Sequence, residues 1–358
     1  MRLVVDAVGV RPGSAEIVIG NLLVGWTQAA PDDRIVVLVD REPGFPLPAT
    51  ITVERIVQRS SSLAGRLWAQ SVGVRLACRR LDADGLLSAL TAGSLLGARC
   101  PHAVIVYDLR HELRPGQFSR RRRLGRRLLY GWSFRNANAL LCISERTRRD
   151  LLARRPQLTA RAHAVLLGAD HAAGWRPADR PGEPYALAFG HFANKNVEPV
   201  LRAWSDYCSG RDGIVLRICG LGEQARAAAE RLVAALGIGS RVELLPWLAD
   251  EAFQTLFAGA RIVLFPSDFE GFGLPAVEAM LLGVPVVISS DPALAEVTGG
   301  HAIVAADQRP ESLATAIERA LALTPEQLAA GVAHAQRFTW ERCARQVREI
   351  IIDARVSR

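Results

Sequence analysis

Lysine is almost missing from this chain: among 44 basic residues, Lys195 is the only one. The arginine bias points to a GC-rich coding sequence as much as to function. Lys195 then marks either a chance survival or a position where a compact ammonium serves better than a planar fork. Cysteine is sparse and unpatterned. Cys78, Cys100, Cys142, Cys208, Cys219 and Cys343 form no Cys-x-x-Cys pair, which argues against a structural thiolate metal site and for buried thiols in a reducing compartment. No apolar run reaches the roughly 20 residues that a membrane-spanning helix needs. The opening MRLVVDAV reads as a strand rather than a charged-then-apolar leader, so a cytoplasmic protein is expected. The net charge of +8 comes with no aromatic-interleaved basic strand and no DNA-binding motif, which sets nucleic acid aside as a partner.

What is there is α/β in rhythm. At 358 residues the chain suits two domains of about 150 residues each. The most informative stretch is Arg261 to Ser290, RIVLFPSDFEGFGLPAVEAMLLGVPVVISS. Ile262–Phe265 is short, apolar and closed by Pro266, as a buried parallel strand would be. After a polar loop comes Glu270-Gly271-Phe272-Gly273-Leu274-Pro275. Pro275 suits the first turn of a helix, where its missing N–H is no loss. That helix carries Glu278, and Val284–Ser289 forms the next strand. Two carboxylates thus flank a helix N-terminus whose glycines let a ligand approach, at the place where open α/β sheets bind phosphates.

Glu270 and Glu278, separated by seven residues around Gly-Phe-Gly-Leu-Pro, resemble the donor-binding signature of retaining glycosyltransferases of family 4. The resemblance implies an α/β fold of GT-B type, two Rossmann-like domains facing each other across a cleft. It is clearest from Tyr185 to Trp340 and fainter over the first half. The organisation expected is an N-terminal domain over 1–170, a hinge over 171–184 in the Gly-, Pro- and Asp-rich stretch, a nucleotide-sugar domain over 185–338, and a closing helix over 339–358 that crosses back to the first domain.

Matching the family residue by residue gives a candidate site. Gly190-His191-Phe192-Ala193-Asn194-Lys195-Asn196 sits at the first strand–helix turn of the second domain. There Lys195 matches the family's phosphate-neutralising lysine, with Asn194 beside it, and His191 stands where the family has arginine. The resemblance implies that Gly271, Phe272, Gly273 and Leu274 line the donor, that Glu270 holds the transferred sugar, and that Glu278 takes the ribose hydroxyls. Leu248, in Pro246-Trp247-Leu248-Ala249-Asp250, falls in the loop that holds the nucleobase. In the first domain Gly13 is the candidate for close approach to the donor, although a plain turn glycine explains it as well. Tyr107-Asp108 replaces the family's His-Asp, so only Asp108 carries over, and a strand-end cap is the competing reading for it.

The resemblance implies transfer of a mannose-like hexose from a GDP-, UDP- or dTDP-linked donor to a glycan or polyprenyl-linked hydroxyl. It implies no metal or other cofactor, and no Asp-x-Asp site that would carry a metal is expected. His111 is the candidate base should the chemistry be inverting instead. A non-catalytic sugar-nucleotide-binding protein, or a natural-product glycosyltransferase with a soluble acceptor, stays open. Ser119 to Trp132, SRRRRLGRRLLYGW, reads either as a solvated basic face over a core stripe of Leu124, Leu128, Leu129 and Trp132, or as a helix drawn to the inner face of the cytoplasmic membrane.

Overall fold

The computed structural model describes residues 1–45, 47–56, 62–178, 182–191, 193–209 and 213–356; the side chains of residues 193 and 356 are outside it. Phe192, part of the predicted donor turn, therefore lies outside the described residues. The chain divides into two compact units, Met1–Gly168 with Phe338–Arg358, and Ala169–Arg337.

The first unit is built on a parallel sheet of seven strands among the described residues: β1 (Arg2–Asp6), β2 (Arg34–Val39), β3 (Thr52–Arg55), β4 (Gly85–Ser88), β5 (His102–Val106), β6 (Ala139–Cys142) and β7 (Ala162–Ala164). Their order is β3-β2-β1-β4-β5-β6-β7. β1, β4, β5 and β6 are buried almost throughout, the pattern of strands covered on both faces. The second unit repeats the plan with β8 (Tyr185–Phe189), β9 (Val215–Cys219), β10 (Val242–Leu244), β11 (Ile262–Phe265), β12 (Val286–Ile288) and β13 (Ile303–Val304), ordered β10-β9-β8-β11-β12-β13. In both sheets the order reverses once, between β1 and β4 and between β8 and β11. Such switch points open a crevice at the carboxyl ends of the strands.

The helix Trp340–Val356 completes the first unit. It lies on Ser14–Ala29 so closely that a Cβ on Gly25 would sit 2.3 Å from the Trp340 carbonyl carbon. Asp33 ties the pair together by accepting from Arg348 Nε at 2.7 Å and Trp26 Nε1 at 3.0 Å.

At the end of β1 a second carboxylate is buried. Asp6 is 1% exposed and accepts from the Val8 amide at 3.1 Å and the Ser88 hydroxyl at 3.4 Å. Burial pushes its carboxyl up to about 7, with nearby Asp40 adding to the rise, against the pull of the Val8 and Ser88 donors. Asp40 anchors the following loop from outside, accepting from the Gly9 amide at 3.0 Å and from Arg11 NH2 at 2.8 Å.

Candidate functional site

The loops that leave β8 and β11 border the switch point of the second unit, and three consecutive residues stitch them together. Asn194 Nδ2 donates to the Phe269 carbonyl at 2.9 Å and to Glu270 Oε1 at 3.2 Å. Lys195 Nζ donates to the same Glu270 oxygen at 2.6 Å and stands 4.0 Å from the centroid of the Phe265 ring. Asn196 Nδ2 donates to the Pro266 carbonyl at 2.9 Å. Asn196 also takes the left-handed conformation, φ 55°, as it starts the helix Val197–Cys208, a turn that asparagine tolerates better than most residues. Lys195 and Glu270 are both largely enclosed, with side chains 6% and 15% exposed.

A third loop, after β12, braces Glu270 from behind. Asp291 Oδ1 caps the helix Pro292–Thr298 by accepting from the Ala293 amide at 2.9 Å, while Oδ2 accepts from the Glu270 amide at 3.3 Å. Ser289 joins in by donating to the Ser267 carbonyl and accepting from the Asp291 amide at 3.2 Å. Neither residue stood out in the sequence, because what they do depends on where β12 ends in space.

The predicted helix start is in place. Gly273 adopts φ 104° at the N-cap of Leu274–Leu281, and Pro275 occupies the first turn. A Cβ on Gly273 would meet Leu294 Cδ2 at 2.4 Å, so both conformation and space require glycine. The first-turn amides of this helix point out of its N-terminus, which is where an anion would be held. Phe272 is buried, with Gly271 and Leu274 half-buried on either side.

Glu278, one turn inside, is 4% exposed. Its Oε1 lies 3.1 Å from His171 Nε2. His171 rides on the short turn Asp170–Gly174 and packs edge-on to Trp175 at 5.6 Å. Trp175 in turn packs edge-on to Phe257 at 5.4 Å. Sequence reasoning missed His171, since it lies at the edge of the stretch whose glycines and prolines read only as a hinge.

The remaining candidates are more loosely defined. His191 is half-buried beside Gly220, where a Cβ would come within 3.2 Å of its own. Leu248 is half-buried next to Trp247, which is 68% exposed. In the first unit Gly13 takes φ 131° at the start of Ser14–Ala29, and a Cβ there would meet nothing within 4 Å. Asp108 Oδ1 accepts from the Arg110 amide at 2.8 Å, a local turn that opens the short helix Arg110–Leu113. Tyr107 turns its hydroxyl onto the Ala89 carbonyl at 2.9 Å, and burial raises that phenol well above its ordinary range. His111 is 1% exposed and packed edge-on to Tyr130 at 4.9 Å, a core position.

Among the described residues no group of three or more His, Cys, Asp or Glu side chains could hold a metal ion. The chain's one Asp-x-Asp triplet, Asp82-Ala83-Asp84, precedes β4 at the amino end of the sheet. Arg2 takes both carboxylates, Asp82 at 2.7 Å and Asp84 at 3.5 Å, and Arg355 adds a contact to Asp84 at 3.1 Å.

Two Rossmann-like units with these strand orders make a GT-B fold. A sucrose-phosphate synthase from Thermosynechococcus elongatus matches it at TM-score 0.78 and 18% identity over 100% of both chains. The Anabaena HepE protein, solved in complex with UDP-glucose, matches at 0.75 and 19% identity over 99% of this chain and 100% of its own. Residues 175–337, nearly the whole second unit, match the family described as glycosyl transferases group 1. O-antigen chain mannosyltransferase B of Escherichia coli is 38% identical over 108 residues, 29% of this chain and 28% of that one. The chain spans less than half the length of the curated relatives that it matches. No helix among the described residues is long and apolar enough to cross a membrane.

Proposed function

We propose that the chain is a retaining glycosyltransferase of family 4 that moves a mannose-like hexose from a nucleotide diphosphate sugar to a hydroxyl of a glycan or polyprenyl-linked acceptor. The observation that carries the reading is the meeting of Lys195 and Glu270 beside the Leu274–Leu281 N-terminus, inside a group 1 glycosyl transferase unit. The E. coli relative's mannosyltransferase name supports the sugar class, and the UDP-glucose bound to HepE supports a nucleotide-linked donor. GDP, UDP and dTDP all remain candidate carriers. Six thiols that form no disulfide suit a cytoplasmic enzyme.

Breaking the bond between the anomeric carbon and the diphosphate is the hard step. Its electrons leave with the phosphate oxygen while the sugar gains oxocarbenium character. Preorganised donors help most where such charge develops. Lys195 supplies a full positive charge there, and the amides of Gly273 and Leu274, with the helix dipole, supply partial ones. Glu270 holds the sugar hydroxyls against the developing cation. Glu278 accepts from the ribose, with His171 fixing the orientation of its carboxylate. Gly271 and Phe272 shape the pocket floor, Leu248 meets the base, and Asn194 and His191 complete the set in the second unit. The acceptor oxygen forms the new bond on the face that the phosphate leaves, and its proton goes to the departing phosphate. No step requires a divalent metal.

A second reading, a non-catalytic sugar-nucleotide-binding protein, draws support from Tyr107, whose hydroxyl is spent on Ala89 where the family's histidine would meet the donor. One experiment separates the two. Thermal shifts with GDP, UDP and dTDP identify the carrier, a ligand at a hundred times its Kd adding roughly 2.7 kcal/mol. The matching radiolabelled nucleotide-hexose is then followed for release of the sugar. Binding with release supports the enzyme, binding without it the second reading, and binding of none overturns both.

A further inference from the structure

The basic helix Arg120–Asn136 faces outward with the residues that should face in. Its inner side rests on Ser133 and Phe134, 0% and 2% exposed, with Tyr130 packed between His111 and Phe134 at 4.9 and 6.1 Å. Of the four residues that the sequence offered as a core stripe, Leu129 is half-buried and the other three lie on the other side. Leu124, Leu128 and Trp132 are 60%, 57% and 54% exposed, and their spacing of four keeps them in one row along the helix. Arg120, Arg121, Arg127 and Arg135 are exposed around that row. The helix holds seven arginines and no acidic residue.

Two further features concentrate positive charge at its start. Arg110, Arg122 and Arg126 gather over the Phe118 ring at 5.5, 5.8 and 5.1 Å. Arg120 to Arg123 also fill the first turn, where the helix dipole is itself positive and cations are unfavourable. In water the arrangement is strained on both counts, since a row of large apolar side chains is wet and like charges crowd together. A layer that is apolar below and anionic at its surface relieves both.

We propose that this face is a docking surface for an anionic lipid bilayer. The helix, about 25 Å long at 1.5 Å per residue, lies in the plane of the headgroups. Leu124, Leu128 and Trp132 sink among the acyl ends, and the surrounding arginines meet lipid phosphates. Tryptophan suits this depth, having an apolar body and one polar edge. A nucleic acid would satisfy the arginines but leave the central apolar row against phosphates, so the lipid surface is the better fit. The inference goes beyond the sugar-transfer reading and stands without it, although docking here would bring the enzyme to a polyprenyl-linked acceptor.

Vesicle flotation without any sugar donor tests it. The full chain should float with phosphatidylcholine vesicles that contain phosphatidylglycerol, much less with phosphatidylcholine alone, and less as salt rises, because surface charges are screened within about 10 Å at 0.1 M. Leu124→Ser/Leu128→Ser/Trp132→Ser should abolish flotation, and Trp132→Ser alone should weaken it should the triple variant melt early. Arg120→Ser/Arg121→Ser/Arg127→Ser should lower partitioning on the order of a hundredfold, at about 1 kcal/mol per arginine. Wild type that ignores the anionic vesicles at low salt overturns the proposal. So does flotation that the apolar substitutions leave unchanged, and so does capture by duplex DNA with the vesicles left unbound.

Discussion

Lys195 and Glu270, 75 residues apart in the chain, share one largely enclosed ion pair at 2.6 Å. The sequence assigned them to different ends of the donor, the lysine to phosphate and the glutamate to sugar. In the structure each satisfies the other while the loops hold both in place. A diphosphate would therefore find Lys195 already positioned and partly desolvated, with an ammonium that must share its charge between Glu270 and the new anion.

The pair separates structural from chemical roles. Removing one partner of an enclosed ion pair strands the other and costs about 3–5 kcal/mol in well-buried cases. Lys195→Ala and Glu270→Gln should each lower the melting temperature, and the double variant should recover most of that loss. Turnover should fall by on the order of a hundredfold or more in all three, with Lys195→Arg retaining part of it. Activity that recovers together with stability in the double variant would remove Lys195 from the chemistry.

Turnover should persist in excess EDTA. Among the described residues no acidic cluster could hold a cation, and the proposed mechanism gives the task of stabilising the leaving diphosphate to Lys195 and the Leu274–Leu281 amides. Activity lost to the chelator and restored by magnesium would transfer that task to an ion.

Asp6 predicts a pH dependence of stability. Its folded carboxyl titrates at about 7, above the ordinary value near 3.9, so its protonated form is the one that the fold favours. This contribution is fully present below about pH 4 and is lost as pH rises through about 7, on the order of 4 kcal/mol at most. Glu112 acts in the opposite sense. Burial works against its charge, but His111 and Arg155 outweigh burial and hold it at about 2, so its contribution is full above the ordinary carboxylate value of 4.5 and is lost as pH falls from there through about 2. Thermal melts of Asp6→Asn, which keeps an acceptor for the Val8 amide, should fall less than wild type between about pH 5 and pH 8. Parallel melting curves would mean that Asp6 is ionised in the fold.

Two glycine substitutions should act in opposite directions. Gly25→Ala drives a methyl into the Trp340 backbone at 2.3 Å and should destabilise by about 1–3 kcal/mol. Gly125→Ala, in the basic helix with nothing within 4 Å, should stabilise by up to about 1 kcal/mol. Chemical denaturation of both variants checks the contrast.

Much of the second unit was legible because its signals are local. Pro275 and the glycines before it fix a helix start by backbone preference alone, and the apolar runs of β8, β11 and β12 declare buried strands. β4 escaped notice: Gly85-Leu86-Leu87-Ser88 is only four residues long and has no β-branched side chain. His171 and Asp291 were invisible for a different reason, since each acts on a partner brought close by the fold. The basic helix is the instructive failure. Periodicity placed Leu124, Leu128 and Trp132 on one side, but it cannot say which side meets the protein. Ser133 and Phe134 decided that.

The chain leaves the first unit and rejoins it at nearly the same point, for a Cβ on Gly168 would stand 2.3 Å from the Trp340 amide nitrogen. Arg348 and Asp33 meet across 315 residues of sequence. During synthesis, then, the strands of the first unit must wait for the helix Trp340–Val356, while the unit that lies between them in the chain is finished before that helix emerges. Until it does, one side of Ser14–Ala29 stays uncovered. A stop codon placed just before Trp340 would injure the first unit, which lies far upstream of it, and spare the second, which lies next to it.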